Sequence, residues 1–423
     1  MQILLRSVKI IDPSSKHNGK TLDILIEDGT ISEIGENLES STANEIIEGE
    51  DLHVSPGWVD MYATFGDPGK EYKEDILSGL DAAAQGGFTK VAVSPETEPS
   101  VDTKSAIEYV QNRSQHHVVD ALPIAALTKG LKGEELAEIF DMQASGAIAV
   151  SNGKHSIENA KVQNLALQYV KNLNLPFYSF CEENNLANGG QMHEGNVNTR
   201  VGLKGIPALA EELSVARDLY LAEYADTAVH FSHITTKGAV SLIREAKSKG
   251  LKVTASVPAH HLKFSDDTIE DFDPNFKVSP PFRGQEHISA LKQGLKDGTI
   301  DAVISDHEPH EPEAKFSEFS KAEAGIIALE TTFSTVFEAL GQDLSIEVII
   351  EKLSSGPRKI LGITSATIEA GLKAELTVFA PNIAWEYNAD EVKSKSKNSP
   401  LLGTELKGLP VGVINNGQLF LNS

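Results

Sequence analysis

The sequence predicts an α/β fold, a parallel (β/α)8 TIM barrel with a small β-sandwich domain formed from both termini. Three observations carry that expectation. Eight short apolar segments follow one another between residues 59 and 305, helical patterns separate most of them, and strand-like runs with turn signals occupy both ends of the 423-residue chain. A doubly wound open sheet is the alternative arrangement of the same segments.

From Ile3 to about Val54 the runs Leu4 to Ile11, Leu22 to Ile26 and Ile31 to Ile34 alternate with turns such as Asp28-Gly29, which reads as a small all-β unit. Pro56 and Gly57 break that pattern. Trp58 to Phe65 then reads as a buried strand, and Asp67-Pro68-Gly69 turns the chain away. The barrel strands are expected at Val59 to Phe65, Val91 to Ser94, Leu122 to Leu127, Ala147 to Val150, Phe177 to Phe180, Val229 to Ser232, Val253 to Ser256 and Ala302 to Ser305. Helices are expected at Glu74 to Gln85, Glu134 to Phe140, Glu158 to Lys171, Gly238 to Ala246, His287 to Leu295 and Ile346 to Leu353. Leu209, Leu213, Ala216, Tyr220 and Tyr224 recur at helical spacing and predict a further stripe that is buried. Strands return at Leu376 to Phe379, Val411 to Ile414 and Gln418 to Leu421. The expected partition is a composite β-sandwich from residues 1–54 and 365–423, and a barrel from 55–364.

A net charge of −24 argues against a sequence-independent grip on nucleic acid or an anionic membrane, because both need clustered Lys and Arg. Basic partners stay open. Cys181 is the only cysteine, so an intrachain disulfide and a thiolate metal cluster are excluded and a cytoplasmic home is expected. Its neighbours Glu182 and Glu183 would raise the thiol pKa. The run Met1 to Leu5 is too short for a signal-peptide core, and no apolar stretch is long enough to span a bilayer.

Chemistry in such a barrel sits at the carboxyl ends of the strands. Those positions hold Tyr62, Thr64 and Gly66, then Ser94 and Glu96, then Ser151 and Asn152, then Phe180, His233 and Asp306. Of these, only His233 and Asp306 are good ligands for a divalent metal.

Several ordered segments resemble the landmarks of dihydroorotase, in the bacterial type that works with aspartate carbamoyltransferase, within the metal-dependent amidohydrolases. They are Ser55-Pro56-Gly57-Trp58-Val59-Asp60-Met61, Ala126-Leu127-Thr128-Lys129-Gly130, Cys181-Glu182-Glu183-Asn184, Gly205-Ile206-Pro207, Ser232-His233-Ile234-Thr235-Thr236, Ser279-Pro280-Pro281-Phe282-Arg283, Asp306-His307-Glu308-Pro309-His310 and Lys397-Asn398-Ser399-Pro400. The resemblance implies zinc held by a His-x-His pair on strand one, an acid after strand four, histidines after strands five and six, and an aspartate after strand eight. It also implies a metal-activated hydroxide, with the aspartate shuttling the proton. Here the pair is Tyr62 and Thr64, the acid positions hold Ser151 and Asn152, and the strand-five histidine is Phe180. Only His233 and Asp306 remain. Substrate contacts are replaced too: an arginine by Gly66, one asparagine by Glu96 and another by Ser279. His310, which resembles the contact to the substrate carboxylate, is retained.

Two ligands fall short of the three that a catalytic zinc needs beside water. The expectation is therefore a catalytically inactive, metal-free dihydroorotase homologue of pyrimidine biosynthesis, with no cofactor and with Asp306 and His310 as vestiges. The resemblance implies a structural partnership with aspartate carbamoyltransferase and a homodimer. The alternative is an active cyclic amidohydrolase, converting dihydroorotate to carbamoyl aspartate, with one zinc on His233, Asp306 and a third ligand such as His261 or Glu96. A third reading is a small-molecule sensor that recognises a ring through Asp306 and His310. Elsewhere His193 and Glu194 read as holding a loop, His260 and His261 as suggesting a site yet as easily structural, Lys129 as an ordinary lysine, His116 and His117 as without chemical role, and Lys393 to Lys397 as a solvated loop.

Overall fold

The computed structural model describes residues 1–38 and 43–422. Eight parallel strands stand side by side in chain order: Trp58–Ala63, Phe88–Val93, Asp120–Ala126, Ala149–Ser151, Phe177–Phe180, Val229–Ser232, Val253–Pro258 and Ala302–Ile304. A parallel bridge from Ala63 to His307 links the last strand's extension back to the first, where the Thr64 amide donates to the His307 carbonyl at 2.8 Å. The sheet is thus a barrel, as the sequence predicts.

Two-residue alternation divides its side chains. Val91 and Val93 belong to one apolar cluster, with Phe88 and residues of the surrounding helices, whereas Ala92 belongs to a second with Val59, Met61, Ile124, Ala149, Tyr178, Ala302 and Ile304. The buried Asp60 accepts from the Ser305 amide at 2.8 Å and its hydroxyl at 2.6 Å, which ties the first strand to the end of the eighth.

The terminal strands form one sheet of eight, seven along a single hydrogen-bonded path and Glu45–Ile47 off it beside Gln2–Ile10. Gln2–Ile10 serves both layers of the β-sandwich: Ile3 to Leu5 pair with Glu45–Ile47, and Lys9 and Ile10 pair with His53 and Val54. The register shift between Leu5 and Val8, with Ser7 at φ 51°, supplies the bend. Leu376–Glu386 pairs antiparallel with His53–Pro56, so the two ends of the chain share one apolar core containing Ile3, Leu5, Ile24, Val54, Val378 and Ile414.

Three sequence expectations are corrected. The helix expected at Glu134 to Phe140 instead runs Ile139–Ala144, because Glu135 and Ala137 pair in extended conformation with Lys129 and Leu127. The stripe Leu209, Leu213, Tyr220 and Tyr224 on the helix Ala208–Ala225 is exposed. That helix buries Ala210, Val215, Leu219, Ala222 and Ala225 together with Glu211, Ser214 and Asp218, so polar residues with specific partners displaced the apolar stripe from the inner face. Finally, within the run Lys393 to Lys397, Lys395 and Lys397 are exposed but Ser394 and Ser396 are buried rather than solvated. The Ser394 hydroxyl donates to the buried Glu74 carboxylate, and the Ser396 hydroxyl donates to the Lys73 carbonyl at 2.8 Å.

Candidate active-site remnant at the barrel mouth

His233 directly follows strand six and Asp306 lies two residues beyond strand eight, and both adopt left-handed backbone conformations, with φ of 58° and 51°. Non-glycine residues pay for that conformation, and here it aims both side chains into the mouth. His233 Nε2 lies 3.0 Å from Asp306 Oδ1. His260 Nε2 lies 3.6 Å from Asp306 Oδ2.

A cation already sits in this cluster, and it belongs to the chain. The Lys154 ammonium lies 2.6 Å from Asp306 Oδ1 and 2.9 Å from Glu308 Oε2, and donates to the Ser279 carbonyl at 2.9 Å. Burial works to lower the Lys154 pKa, but the Asp306 and Glu308 carboxylates outweigh it and raise it above the ordinary lysine value. Burial alone would likewise raise Asp306, yet Lys154 and His233 hold its carboxyl far below the usual range. The result is a closed ion pair.

The segment that delivers Lys154 is held by Glu96, whose Oε1 accepts from the Lys154 amide at 3.1 Å. Its Oε2 accepts from the Tyr62 hydroxyl at 2.5 Å and the Ser94 hydroxyl at 2.9 Å. Gly153 between them has φ of +65°, and a Cβ there would overlap the Glu96 side chain, so this turn requires glycine. Burial and the Glu96 carboxylate push the Tyr62 phenol well above its ordinary pKa, so it stays a neutral donor.

The remaining expected positions are occupied by structure. Tyr62 meets the His233 ring edge-on, with centroids 4.6 Å apart, and Phe180 lies 5.7 Å from the same ring. Asn152 accepts from the Thr128 hydroxyl at 2.6 Å and donates to the Leu131 and His155 carbonyls, each at 3.0 Å. Ser151 accepts from the Gly153 amide at 3.1 Å. Thr64 contributes its amide to barrel closure. A Cβ on Gly66 would overlap the Lys70 carbonyl, so the turn excludes any side chain where the resemblance implies an arginine.

Both nitrogens of His310 are engaged: Nε2 donates to the Ala324 carbonyl at 2.8 Å and Nδ1 accepts from the Lys73 ammonium at 3.1 Å. Asn398 fixes this loop, accepting from the His310 amide at 3.0 Å and donating to the Glu308 and Gly325 carbonyls. His261 Nε2 lies 3.0 Å from the Pro280 carbonyl, and Glu96 is held as described, so the two third ligands suggested by sequence are engaged elsewhere. Of the pair His260 and His261, His260 is the one that faces Asp306. Cys181 is buried, and burial followed by Asp218, rather than Glu182 and Glu183, pushes its thiol pKa well up.

The zinc implied by the resemblance does not fit these residues. A divalent cation on Asp306 would meet the Lys154 ammonium at the same oxygen. Among the described residues no three His, Cys, Asp or Glu side chains converge as ligands. Buried imidazole nitrogens around the mouth do remain without hydrogen-bond partners, among them His233 Nδ1, both nitrogens of His260, and His261 Nδ1. Sequence reasoning missed Lys154 altogether. Its only signal was a lysine three residues beyond the end of strand four, in the turn Asn152-Gly153-Lys154.

A barrel with this mouth, joined to a β-sandwich from both termini, is an amidohydrolase scaffold. The L-hydantoinase (dihydropyrimidinase) from Arthrobacter aurescens shares the fold with a TM-score of 0.85 at 23% identity, covering 99% of this chain and 95% of that one. In sequence, a family described as Dihydro-orotase-like matches residues 52–239. Proteins named dihydroorotase from Geobacter metallireducens and Ruminiclostridium cellulolyticum are 40% and 41% identical, covering 99% of this chain and 99% and 98% of theirs. The chain belongs to the dihydroorotase family.

Proposed function

We propose that this chain is a dihydroorotase homologue of pyrimidine biosynthesis that holds no metal, does not hydrolyse the ring, and serves in the cytoplasm as a structural partner of aspartate carbamoyltransferase. The observation that carries the first part is the Lys154 ammonium on Asp306. A proton-shuttling aspartate must be free to take a proton, and this one is kept ionised by a fixed counter-charge. Tyr62 and Phe180 crowd the adjacent His233 ring. The structural role is supported by the full-length match to dihydroorotases in a chain whose ligand positions are replaced, which fits a protein retained for its surfaces.

The test is elemental analysis and dihydroorotate turnover on the purified full chain, with co-purification against aspartate carbamoyltransferase from the same cell. Substoichiometric zinc, no turnover and a stable complex are expected. Zinc near one per chain with measurable hydrolysis would overturn the reading. The unpartnered nitrogens of His260 beside Asp306 favour one second reading, a mononuclear site on His233, His260 and Asp306 with Lys154 displaced. The same metal measurement decides between them.

A further inference from the structure

We propose that a cavity at the floor of the barrel binds a small monocarboxylate carried on an apolar body. This goes beyond the reading of the mouth and does not depend on it, because the two places lie at opposite ends of the strands. His233 and Asp306 come after strands six and eight, whereas the cavity is bounded by Phe177, Val229 and Val253, which begin strands five, six and seven, and by Asp301, which precedes strand eight. Its volume is about 480 Å³, within the range of small-molecule sites. The helices Ile346–Leu353 and Ser355–Leu361 contribute Lys352, Lys359 and Ile360 to its wall.

A buried charge argues for an anion. Lys352 is 5% exposed, and among the described residues its ammonium, with three protons to donate, meets one polar partner, Glu351 Oε1 at 3.5 Å. Glu351 is a poor counter-ion, since it is the preceding residue on the same helix, leaves in another direction and is exposed. The Lys154 ammonium at the mouth is different, closed in by two carboxylates and a carbonyl. A buried ammonium without a close counter-charge is costly, so a negative group entering the cavity restores to Lys352 the partners that burial removed. Lys359 adds an exposed cation with no charged partner among the described residues.

The lining sets the class of ligand. One buried ammonium matches one negative charge. Among the described residues no arginine lines the cavity, and Glu351 opposes a dianion such as phosphate. Asp301 does not compete for Lys352, because its Oδ2 accepts from the Lys247 ammonium at 2.6 Å and the Ala255 amide at 2.8 Å. Nor do His230 and Thr254 offer a free donor, since they hold each other at 2.9 Å and the second nitrogen of His230 meets Ser256 at 3.0 Å. What remains is the apolar surface of Phe177, Val229, Val253 and Ile360, which rewards an aromatic or aliphatic body.

The experiment is isothermal titration calorimetry of the full chain at neutral pH with benzoate and octanoate, beside benzyl alcohol and inorganic phosphate. The expected result is one saturable site per chain for a carboxylate, about tenfold or more tighter than for the neutral alcohol or phosphate. Lys352→Met removes the charge and keeps most of the stem, so affinity falls about tenfold or more while the melting curve is kept or raised. Lys359→Ala, at an exposed position, weakens binding about threefold. Failure of both carboxylates to saturate, phosphate binding as tightly as they do, or unchanged affinity in folded Lys352→Met would each overturn the proposal. Should Lys352→Met not fold, unchanged affinity in Lys359→Ala overturns it instead. Neither substitution touches the mouth, so zinc content and turnover report separately on the functional reading.

Discussion

The Lys154 ammonium and the Asp306 carboxylate lie 2.6 Å apart at the mouth of the barrel, and His233 Nε2 shares the same carboxylate oxygen at 3.0 Å. One side chain from the loop after strand four thereby supplies the positive charge that a metal would supply. The carboxylate remains buried and remains ionised, and the cluster is electrostatically satisfied without a ligand from solvent.

Lys154→Met breaks this pair and leaves Asp306 and Glu308 facing each other without their cation. Removing one partner of a buried pair costs about 3–5 kcal/mol, so urea unfolding should register a loss of that order. Lys154→Met combined with Asp306→Asn should recover much of it, because the uncompensated charge is gone. Equal losses for the single and double variants would mean that Lys154 acts through packing alone.

Two buried histidines, His230 on barrel strand six and His193 on the separate short strand Met192–His193, carry a pH signature. His230 donates or accepts through both ring nitrogens, to Thr254 at 2.9 Å and Ser256 at 3.0 Å, and burial holds its pKa down to about 3. Burial, with Arg283 beside it, holds His193 down to about 4. Unfolding restores ordinary histidines, which bind protons that the native state refuses. The stability these neutral imidazoles contribute is therefore complete above the unfolded value and is lost as pH falls from about 6.5 towards 4 and below, at about 1.4 kcal/mol per pH unit for the fully buried His230. Denaturant titrations across that range should give a declining stability, and His230→Gln should flatten the decline.

The arrangement of the barrel was legible in the sequence because each strand is a short apolar run between turn residues, and strands such as Phe177–Phe180 and Val229–Ser232 have the expected bounds. The helix Ala208–Ala225 was legible as a helix but not in its orientation. Its most apolar stripe faces outward, while Glu211 and Asp218 are buried because the Thr235 and Thr236 amides and the Ser179 hydroxyl receive them. Periodicity reports which residues share a face and cannot report what that face meets. Likewise the replaced ligand positions were legible one by one, but the lysine that meets Asp306 lies on a different loop, and only the folded barrel brings residues 154 and 306 together.

Gly153→Ala tests how that lysine is delivered. The new Cβ would force a left-handed conformation on alanine and overlap the Glu96 side chain, displacing the carboxylate that holds both the Lys154 amide and the Tyr62 hydroxyl. A loss of about 1–3 kcal/mol is expected from backbone strain at this site. Hydrogen exchange should localise the loosening to the Lys154 turn and the adjoining end of strand one. Tyr62→Phe, which removes one donor to Glu96 and leaves Ser94 and the Lys154 amide in place, should cost less than Gly153→Ala.

The carboxyl-terminal segment gives the last test, since it reaches back over the barrel through one buried acid. Glu74 accepts from the Ser78 and Ser394 hydroxyls and from the Lys395 amide at 3.2 Å, with His307 Nε2 at 3.5 Å on its other side. Next to it, Glu330 accepts from the Lys393 and Ser394 amides, and burial raises its pKa to about 7. Glu74→Ala leaves the Ser394 hydroxyl and the Lys395 amide without their acceptor, a loss of about 1–3 kcal/mol for each buried donor left unpaired. Because Asn398 in the same segment clamps the His310 loop, the release should spread. Limited proteolysis of Glu74→Ala should therefore cut first between residues 388 and 399 and next in the loop after His310, whereas the wild-type chain resists at both. Protection of the His310 loop in a variant already cleaved near residue 394 would show that Asn398 does not couple them.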